Sequence, residues 1–152
     1  MKICFIAPAS NYHTRKWSEW FSARGHEGHV ISFIDAQIEG AQVHWLDSGA
    51  SAGSSDGRKM KYLLQAGEMR RLVKRIAPDV VNVHYASSYG AVAALAGLRN
   101  YALSVWGSDI YDFPNRSPLH RALLKFALSG IAMISAGSLW LKYHLKRSLC
   151  CC

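Results

Sequence analysis

The chain has 152 residues, 50% of them hydrophobic, and its 18 lysines and arginines outnumber its 10 acidic residues to give a formal net charge of +8. A chain of this length can bury one hydrophobic core but scarcely two, so a single domain is expected. The charge favours anionic partners, such as phosphorylated ligands, acidic lipid surfaces or nucleic acid, without choosing among them. The cysteines indicate neither a disulfide framework nor a zinc motif, because three of the four are consecutive at positions 150–152.

Short apolar runs alternate along the chain with segments of helical periodicity. In chain order the predicted elements are a strand at 3–7, a helix around 17–21 that ends at Gly25, strands at 29–33 and 43–46, a polar surface loop at 48–57 and a helix over 62–76 that ends at Pro78. They continue with a strand at 79–83, a helix near 88–96, a strand at 102–105, a helix capped by Ser117, a strand at 131–135 and a helix over 138–147. This alternation predicts an α/β fold, a single Rossmann-like parallel sheet flanked by helices.

Two of the helices have an amphipathic pattern. One is predicted to bury Tyr62, Ala66, Met69, Val73 and Ile76, and the other Leu119, Leu123, Phe126 and Ala127. The first of them carries the basic residues Arg70, Arg71, Lys74 and Arg75 on its other face. Such a face is most often solvated, although a basic amphipathic helix also lies against anionic lipid.

The amino terminus has only a superficial likeness to a signal peptide. Its apolar run is broken by Pro8 and followed at once by polar residues. We therefore expect a cytoplasmic start and no membrane-spanning segment.

The loop after the strand at 102–105 is the strongest candidate for a binding site. It holds Trp106, Ser108, Asp109, Tyr111 and Asp112. Loops at the carboxyl ends of parallel strands line the ligand crevice of α/β folds. The Asp109 carboxylate is suited either to orient an acceptor hydroxyl or to cap the amides of its own loop. Two carboxylates three residues apart, without further oxygen ligands, are a weak metal signal, so no metal is predicted.

Two further loops follow predicted strands. His84 offers a neutral imidazole to a hydroxyl or a sugar phosphate, or else pins its own loop. The first loop could face a phosphate through its free amides, with Asn11 and His13 as contacts and Thr14 as an ordinary helix cap. It lacks a glycine-rich fingerprint, which argues against a nicotinamide cofactor or ATP.

Four segments carry a family resemblance. They are KICFIAP with NYHTRKWSEWFSARGHEGHVISF, then PDVVNVHYASSYG, then LSVWGSDIYDFPNRSPLHRALLKFAL, and IAMISAGSLWLKYHLKR. Together they resemble the amino-terminal domain of family 4 glycosyltransferases, which have two facing Rossmann domains, the GT-B architecture. HYASSYG and VWGSDIYDFP are the most specific parts. In that family the first domain cradles the acceptor and the second grips the nucleotide-sugar.

The resemblance implies a retaining transfer of a sugar from a nucleotide-sugar donor to a hydroxyl acceptor, in polysaccharide or glycolipid synthesis, with no permanently bound cofactor. Asp109 and His84 are then the candidate catalytic residues. Contacts with acceptor or donor are expected from Asn11, His13, Tyr85, Ser87, Trp106, Gly107 and Ser108.

Trp106 departs from the family pattern. It stands where many relatives have a catalytic or donor-contacting histidine, and an indole cannot accept or relay a proton. It is expected either to form a stacking wall for a sugar ring or to be a partly buried core aromatic.

Residues 1–147 are expected to form the glycosyltransferase-like domain, with 148–152 as an aberrant cysteine-rich tail. The resemblance stops after Arg147, so a truncated or frameshifted coding sequence without the donor-binding domain is the working hypothesis, and the chain alone is expected to be inactive. The expected partners are a sugar or lipid-linked acceptor, the donor domain and an anionic membrane surface at the inner face. Nucleic acid is not expected, because the carboxylates of the loop repel phosphate. A non-catalytic domain that binds an anionic ligand or nucleic acid stays open as the alternative.

Overall fold

The computed structural model describes residues 1–49 and 60–136. Six parallel strands form one sheet in the order β3-β2-β1-β4-β5-β6. The strands are β1 (Lys2–Ile6), β2 (Glu27–Ser32), β3 (Ala41–Trp45), β4 (Val80–His84), β5 (Tyr101–Val105) and β6 (Ile131–Ala136). The predicted fold class is confirmed, and each predicted strand lies within two residues of an observed one.

Helices connect the strands. They are α1 (Tyr12–Ser22), α2 (Ala66–Ile76), α3 (Ala91–Leu95), α4 (Ser108–Tyr111) and α5 (Pro118–Ala127), together with 3-10 turns at Met60–Gln65 and Phe113–Asn115 and a π-helical turn at Ala86–Gly90. None of the helices in the described ranges has both the length and the apolar composition needed to cross a bilayer.

The sheet separates two hydrophobic layers. Phe5 of β1 belongs to the layer on which α1 packs through Phe21. Ile6, the next residue of β1, belongs to the layer that includes Met69 of α2 and Leu124 of α5. Because successive residues of a strand point to opposite faces, α1 lies on one face of the sheet and α2 and α5 on the other.

The observed helices correct two sequence predictions. The continuous helix over 62–76 is wrong at its start, because Tyr62 belongs to the 3-10 turn and α2 begins at Ala66. The predicted buried stripe of α5 is wrong for Leu119 and Phe126, which are exposed. Leu124 is buried in the core instead. Both faces of this helix contain apolar residues, so periodicity alone selects the wrong one.

Other predictions for these elements have mixed outcomes. The Ser117 cap is confirmed, since its hydroxyl accepts a hydrogen bond from the backbone N–H of His120 at 3.3 Å. Most of the predicted loop at 48–57, the helix over 138–147 and the tail at 148–152 lie outside the described residues.

Candidate functional site

The candidate site lies where β1, β4 and β5 end. β1 and β4 are neighbours in the sheet, yet the chain leaves β1 towards β2 on one side and enters β4 from β3. Strand order reverses at this point, and α/β folds bind ligands in the crevice that such a reversal opens at the carboxyl edge. The loops after β1, β4 and β5 carry the residues that the sequence singled out.

Asn11 joins the first loop to the loop after β4. Its Oδ1 accepts a hydrogen bond from the backbone N–H of His13 at 2.8 Å and so caps α1. Its Nδ2 donates to the hydroxyl of Tyr85 at 3.0 Å. The prediction that Thr14 caps this helix is wrong, because Asn11 is the cap and Thr14 is buried within the first turn.

Three rings form a cluster beside this contact, which we call the ring cluster: His13, His84 and Trp106. The rings of His13 and Trp106 stack with their centroids 4.0 Å apart and an interplanar angle of 18°. His84 meets Trp106 edge to face at 5.5 Å. His13 is exposed, Trp106 is half-buried and His84 is only 1% exposed, so the cluster runs from the surface into the core.

His84 is the last residue of β4 and stays neutral at physiological pH. Burial lowers the pKa of its imidazole from 6.5 to about 4, and electrostatic repulsion from the neighbouring His13 side chain contributes in the same direction. Its Nδ1 is buried, and so is Nε1 of Trp106, and neither atom has a hydrogen-bond partner within the described part of the chain. Buried polar atoms without partners are costly and rare, so both atoms fit a role in binding a small polar group.

Tyr85 holds a strained backbone directly after His84. Its φ of 65° and ψ of 106° are unusual for a residue with a side chain. The conformation is fixed by two hydrogen bonds: the N–H of Tyr85 donates to the carbonyl of Ser104 at 3.0 Å, and its carbonyl accepts from the N–H of Gly90 at 2.9 Å. Burial and the nearby charge of Asp109 raise the pKa of the Tyr85 hydroxyl.

Asp109 is buried and binds backbone amides of two loops. Its Oδ1 accepts hydrogen bonds from the N–H groups of Trp106 at 3.2 Å and Gly107 at 3.0 Å, and its Oδ2 accepts from the N–H of Ala86 at 3.0 Å. The carboxylate therefore ties the loop after β5 to the loop after β4. These contacts match the capping interpretation of Asp109, while a direct contact with an acceptor hydroxyl stays a prediction.

Gly107 makes this loop geometry accessible. Its φ of 123° lies in a region that residues with a side chain rarely adopt. Ser108 follows on the exposed first turn of α4, and Ser87 is half-buried in the π-helical turn. Both serines lie at the edge of the site, and their contact roles stay predictions.

Two functional positions escaped the sequence analysis. The N–H of Ala86 is one of the three partners of Asp109, and no side-chain chemistry marks it. Ser32 ends β2 and holds the first loop, because its Oγ accepts a hydrogen bond from the N–H of Ala9 at 3.0 Å. A serine at a strand end is too common to signal such a contact. Within residues 1–49 and 60–136, no group of three His, Cys, Asp or Glu side chains is arranged to hold a metal ion.

The fold and the site together define a Rossmann-like α/β domain with a candidate crevice at its carboxyl edge. Residues 2–138 match the model of the family described as glycosyl transferase 4-like. The chain therefore belongs to this family, and the predicted resemblance is confirmed. No curated protein sequence matches the chain.

Among solved structures, the chain is similar to UDP-GlcNAc 2-epimerase from Methanocaldococcus jannaschii, with a TM-score of 0.56 and 15% sequence identity. The match covers 99% of this chain and 43% of the epimerase chain. At this identity the likeness shows the fold alone. The chain thus spans less than half the length of that structure.

Proposed function

We propose that this domain is the acceptor-binding half of a retaining glycosyltransferase that moves a sugar from a nucleotide-sugar to a hydroxyl group, in polysaccharide or glycolipid synthesis. Membership of the glycosyl transferase 4-like family supports the reaction class. The nucleotide-sugar is a substrate in this proposal, and it is held mainly by a facing donor domain. An activity of this kind places the protein in the cytoplasm, where nucleotide-sugars are available.

The two ring nitrogens without partners, Nδ1 of His84 and Nε1 of Trp106, carry the proposal. An indole N–H only donates a hydrogen bond, while a nitrogen of neutral imidazole accepts one or donates one according to its tautomer. A hydroxyl both accepts and donates, so it suits the hydrogen-bonding capacity of either nitrogen. A phosphate would accept from both nitrogens in the tautomer of His84 that carries its proton on Nδ1, but the low pKa of His84 leaves no imidazolium to balance the charge of the anion. The chemistry of this pair therefore favours a neutral hydroxyl over an anion.

The same pKa limits what His84 does in the transfer. In the reaction the acceptor oxygen bonds to the anomeric carbon, the bond from that carbon to the diphosphate breaks, and the hydroxyl proton must leave. An imidazole with a pKa of about 4 is a poor base near neutral pH. His84 is therefore assigned to orienting the hydroxyl, and the proton leaves with the diphosphate, which also takes the electron pair. Catalysis in this half of the cleft is positioning.

Asp109 supports that positioning without touching the acceptor. Its hydrogen bonds to Trp106, Gly107 and Ala86 fix the loops after β5 and β4 relative to each other. Trp106 and Ala86, which lies two residues after His84, are thereby held at a constant separation. In this proposal Asp109 is a positioning residue.

The test is an NMR titration of the indole N–H groups in the ¹⁵N-labelled chain, which has five tryptophans. The Trp106 signal is assigned by its loss in Trp106→Phe. We expect neutral methyl glycosides to shift this signal, and inorganic phosphate or UDP to leave it in place. Trp45→Phe is the matched control, since Trp45 lies on the far edge strand β3 and its removal should preserve the shift at Trp106.

Two outcomes would overturn the proposal. One is a Trp106 signal that no glycoside moves at saturating concentrations. The other is a signal that moves with phosphate or with single-stranded RNA but not with glycosides, which would favour a non-catalytic binder of anionic ligands.

A further inference from the structure

Helix α1 packs on the sheet through Phe21 but leaves its tyrosine and its two tryptophans at the surface. Trp17 and Trp20 are 46% and 45% exposed, and Tyr12 is exposed as well. The residues that this helix buries are the small Thr14 and Ser18. Ser18 lies close to β2, since a Cβ atom on Gly28 would be in ordinary contact with the Ser18 Oγ at 3.6 Å. Tyr12, Trp17 and Trp20 thus form the exposed aromatic part of this helix.

The outward face of α1 alternates aromatic and cationic side chains at four-residue steps. We call these residues the α1 stripe: Tyr12, Lys16, Trp20 and Arg24. Residues four apart lie on one side of a helix, and Arg24 continues the line just past the helix end. The Lys16 Nζ lies 5.9 Å from the centre of the Tyr12 ring, and the Arg24 guanidinium lies 3.5 Å from that of Trp20.

The negative charge of the helix itself is already engaged. Glu19 is the only acidic residue of α1, and it pairs with Arg15 at 3.8 Å. The α1 stripe is therefore a cationic and aromatic surface on a chain whose net charge is +8. Tryptophan and tyrosine with lysine and arginine are the residues that populate the interface between a bilayer and water.

The rings of this face are arranged for lipid headgroups and not for nucleic-acid bases. Binding of single strands needs open ring faces on which bases stack. One face of Trp20 is covered by Arg24, and the Trp17 ring stacks against Phe21 at 6.1 Å. Arg24 is also held in place by donating to the carbonyl of Trp20 at 3.1 Å. The side chains of Lys16, Trp20 and Arg24 nevertheless remain exposed to solvent.

We propose that the α1 stripe, with Trp17 beside it, docks this domain on the surface of an anionic lipid bilayer. This inference differs from the sequence expectation, which placed any lipid contact on the basic face of α2. That helix has exposed arginines but no aromatic residue, and it packs on the opposite face of the sheet. A flat bilayer can contact only one of the two faces.

Docking through α1 has a consequence for the site. The helix begins at the Asn11 cap, and His13 in its first turn stacks on Trp106. The rim of the ring cluster would thus lie beside the lipid headgroups. Such a position suits an acceptor that is carried in a membrane. The docking inference itself depends only on the residues of α1 and not on the proposed function.

The experiment is co-sedimentation of the full chain with vesicles of phosphatidylcholine alone and of phosphatidylcholine mixed with phosphatidylglycerol. We expect binding to the anionic vesicles that weakens with salt. The charge variant Lys16→Gln/Arg24→Gln should bind about thirtyfold more weakly, since each cation near such a surface contributes roughly 1 kcal/mol. Its matched control is Arg70→Gln/Arg71→Gln, which removes the same charge from α2 and should bind like the wild type.

The aromatic part of the surface is tested with Trp17→Ser/Trp20→Ser. We expect its affinity to fall on the order of tenfold, since apolar area buried at the headgroup boundary is lost. Trp45→Ser is the control, because Trp45 is 50% exposed on β3. Circular dichroism and unfolding curves establish that each variant is folded. A second measurement needs no variant: brominated lipids should quench the tryptophan fluorescence of the wild-type chain.

Three outcomes would overturn the inference. They are equal binding to neutral and anionic vesicles, weaker binding of Arg70→Gln/Arg71→Gln but not of Lys16→Gln/Arg24→Gln, and no quenching of tryptophan fluorescence by brominated lipid. Tighter binding to single-stranded RNA than to vesicles, lost in the α1 variant, would also reject it by identifying a different partner. Failure here is separable from failure of the proposed function. The shift of the Trp106 indole by glycosides in the absence of lipid does not depend on docking.

Discussion

Acid should destabilise this domain through His84. The pKa of the buried imidazole is about 4 in the folded chain, against 6.5 for an unperturbed histidine. Between these values the unfolded chain binds a proton that the folded chain does not bind. The contribution of His84 to stability is therefore complete above pH 6.5 and is lost as the pH falls towards 4.

The magnitude follows from the two pKa values. A difference of about 2.5 between them corresponds to about 3.4 kcal/mol once the pH has fallen below both. Over the practical range from about pH 7 to about pH 5, roughly 2 kcal/mol of the free energy of unfolding should be lost. That is a large part of the stability of a small domain, which is on the order of 5–15 kcal/mol.

The assay is urea unfolding of the wild type and of His84→Gln at both pH values. The variant loses ring contacts with Phe5 and Trp106 and should be less stable at neutral pH, but its stability should fall by about 2 kcal/mol less on acidification. If the glutamine variant does not fold, His84→Asn replaces it, and an NMR titration of the imidazole in the wild type gives the pKa directly. The reasoning is refuted if that imidazole titrates near pH 6.5 in the folded chain, or if wild type and variant lose stability in parallel.

Four further substitutions test the architecture of the site loops and of α5. Asp109→Asn should lower the free energy of unfolding by about 1–3 kcal/mol, because its amide nitrogen would face the N–H of Ala86; an unchanged melting temperature would reject the capping role. Gly107→Ala should cost about 1–3 kcal/mol, measured by urea unfolding, because its φ of 123° strains any residue with a side chain, although the new methyl group meets no close contact. Leu124→Ala should cost about 2–5 kcal/mol and Leu119→Ala less than about 0.5 kcal/mol, since these side chains are 2% and 74% exposed; the reverse order would show that α5 buries the other face.

The strands could be predicted from sequence because each is a short apolar run bounded by residues that favour turns. β4 is the clearest case: Pro78 precedes the run of β-branched residues, and the chain leaves the sheet at Tyr85. Helix faces were harder. Periodicity places Leu119 and Phe126 in the core of α5, but the residues available to pack against the helix decide which side is buried.

The individual site residues could be proposed from sequence, but the contacts between them could not. Asn11 and Tyr85 are separated by 74 positions, and their hydrogen bond exists only because β1 and β4 are neighbours. Nothing in a single sequence gives the order of strands in a sheet. The stacking of His13 on Trp106 has the same origin, since the loops after β1 and β5 meet across β4.

Two buried polar side chains at this edge differ in what remains for them to bind. The oxygens of Asp109 accept hydrogen bonds from three backbone amides, so a ligand could reach this carboxylate only by displacing one of them. Nδ1 of His84 is equally buried and has no partner among the described residues, so a ligand hydroxyl would satisfy it without breaking a hydrogen bond at that atom. A satisfied group contributes chiefly to shape, whereas an unsatisfied one retains its capacity to bind. In the proposed function, Asp109 therefore sets the geometry of the crevice, and recognition of the acceptor is assigned to His84 together with Trp106.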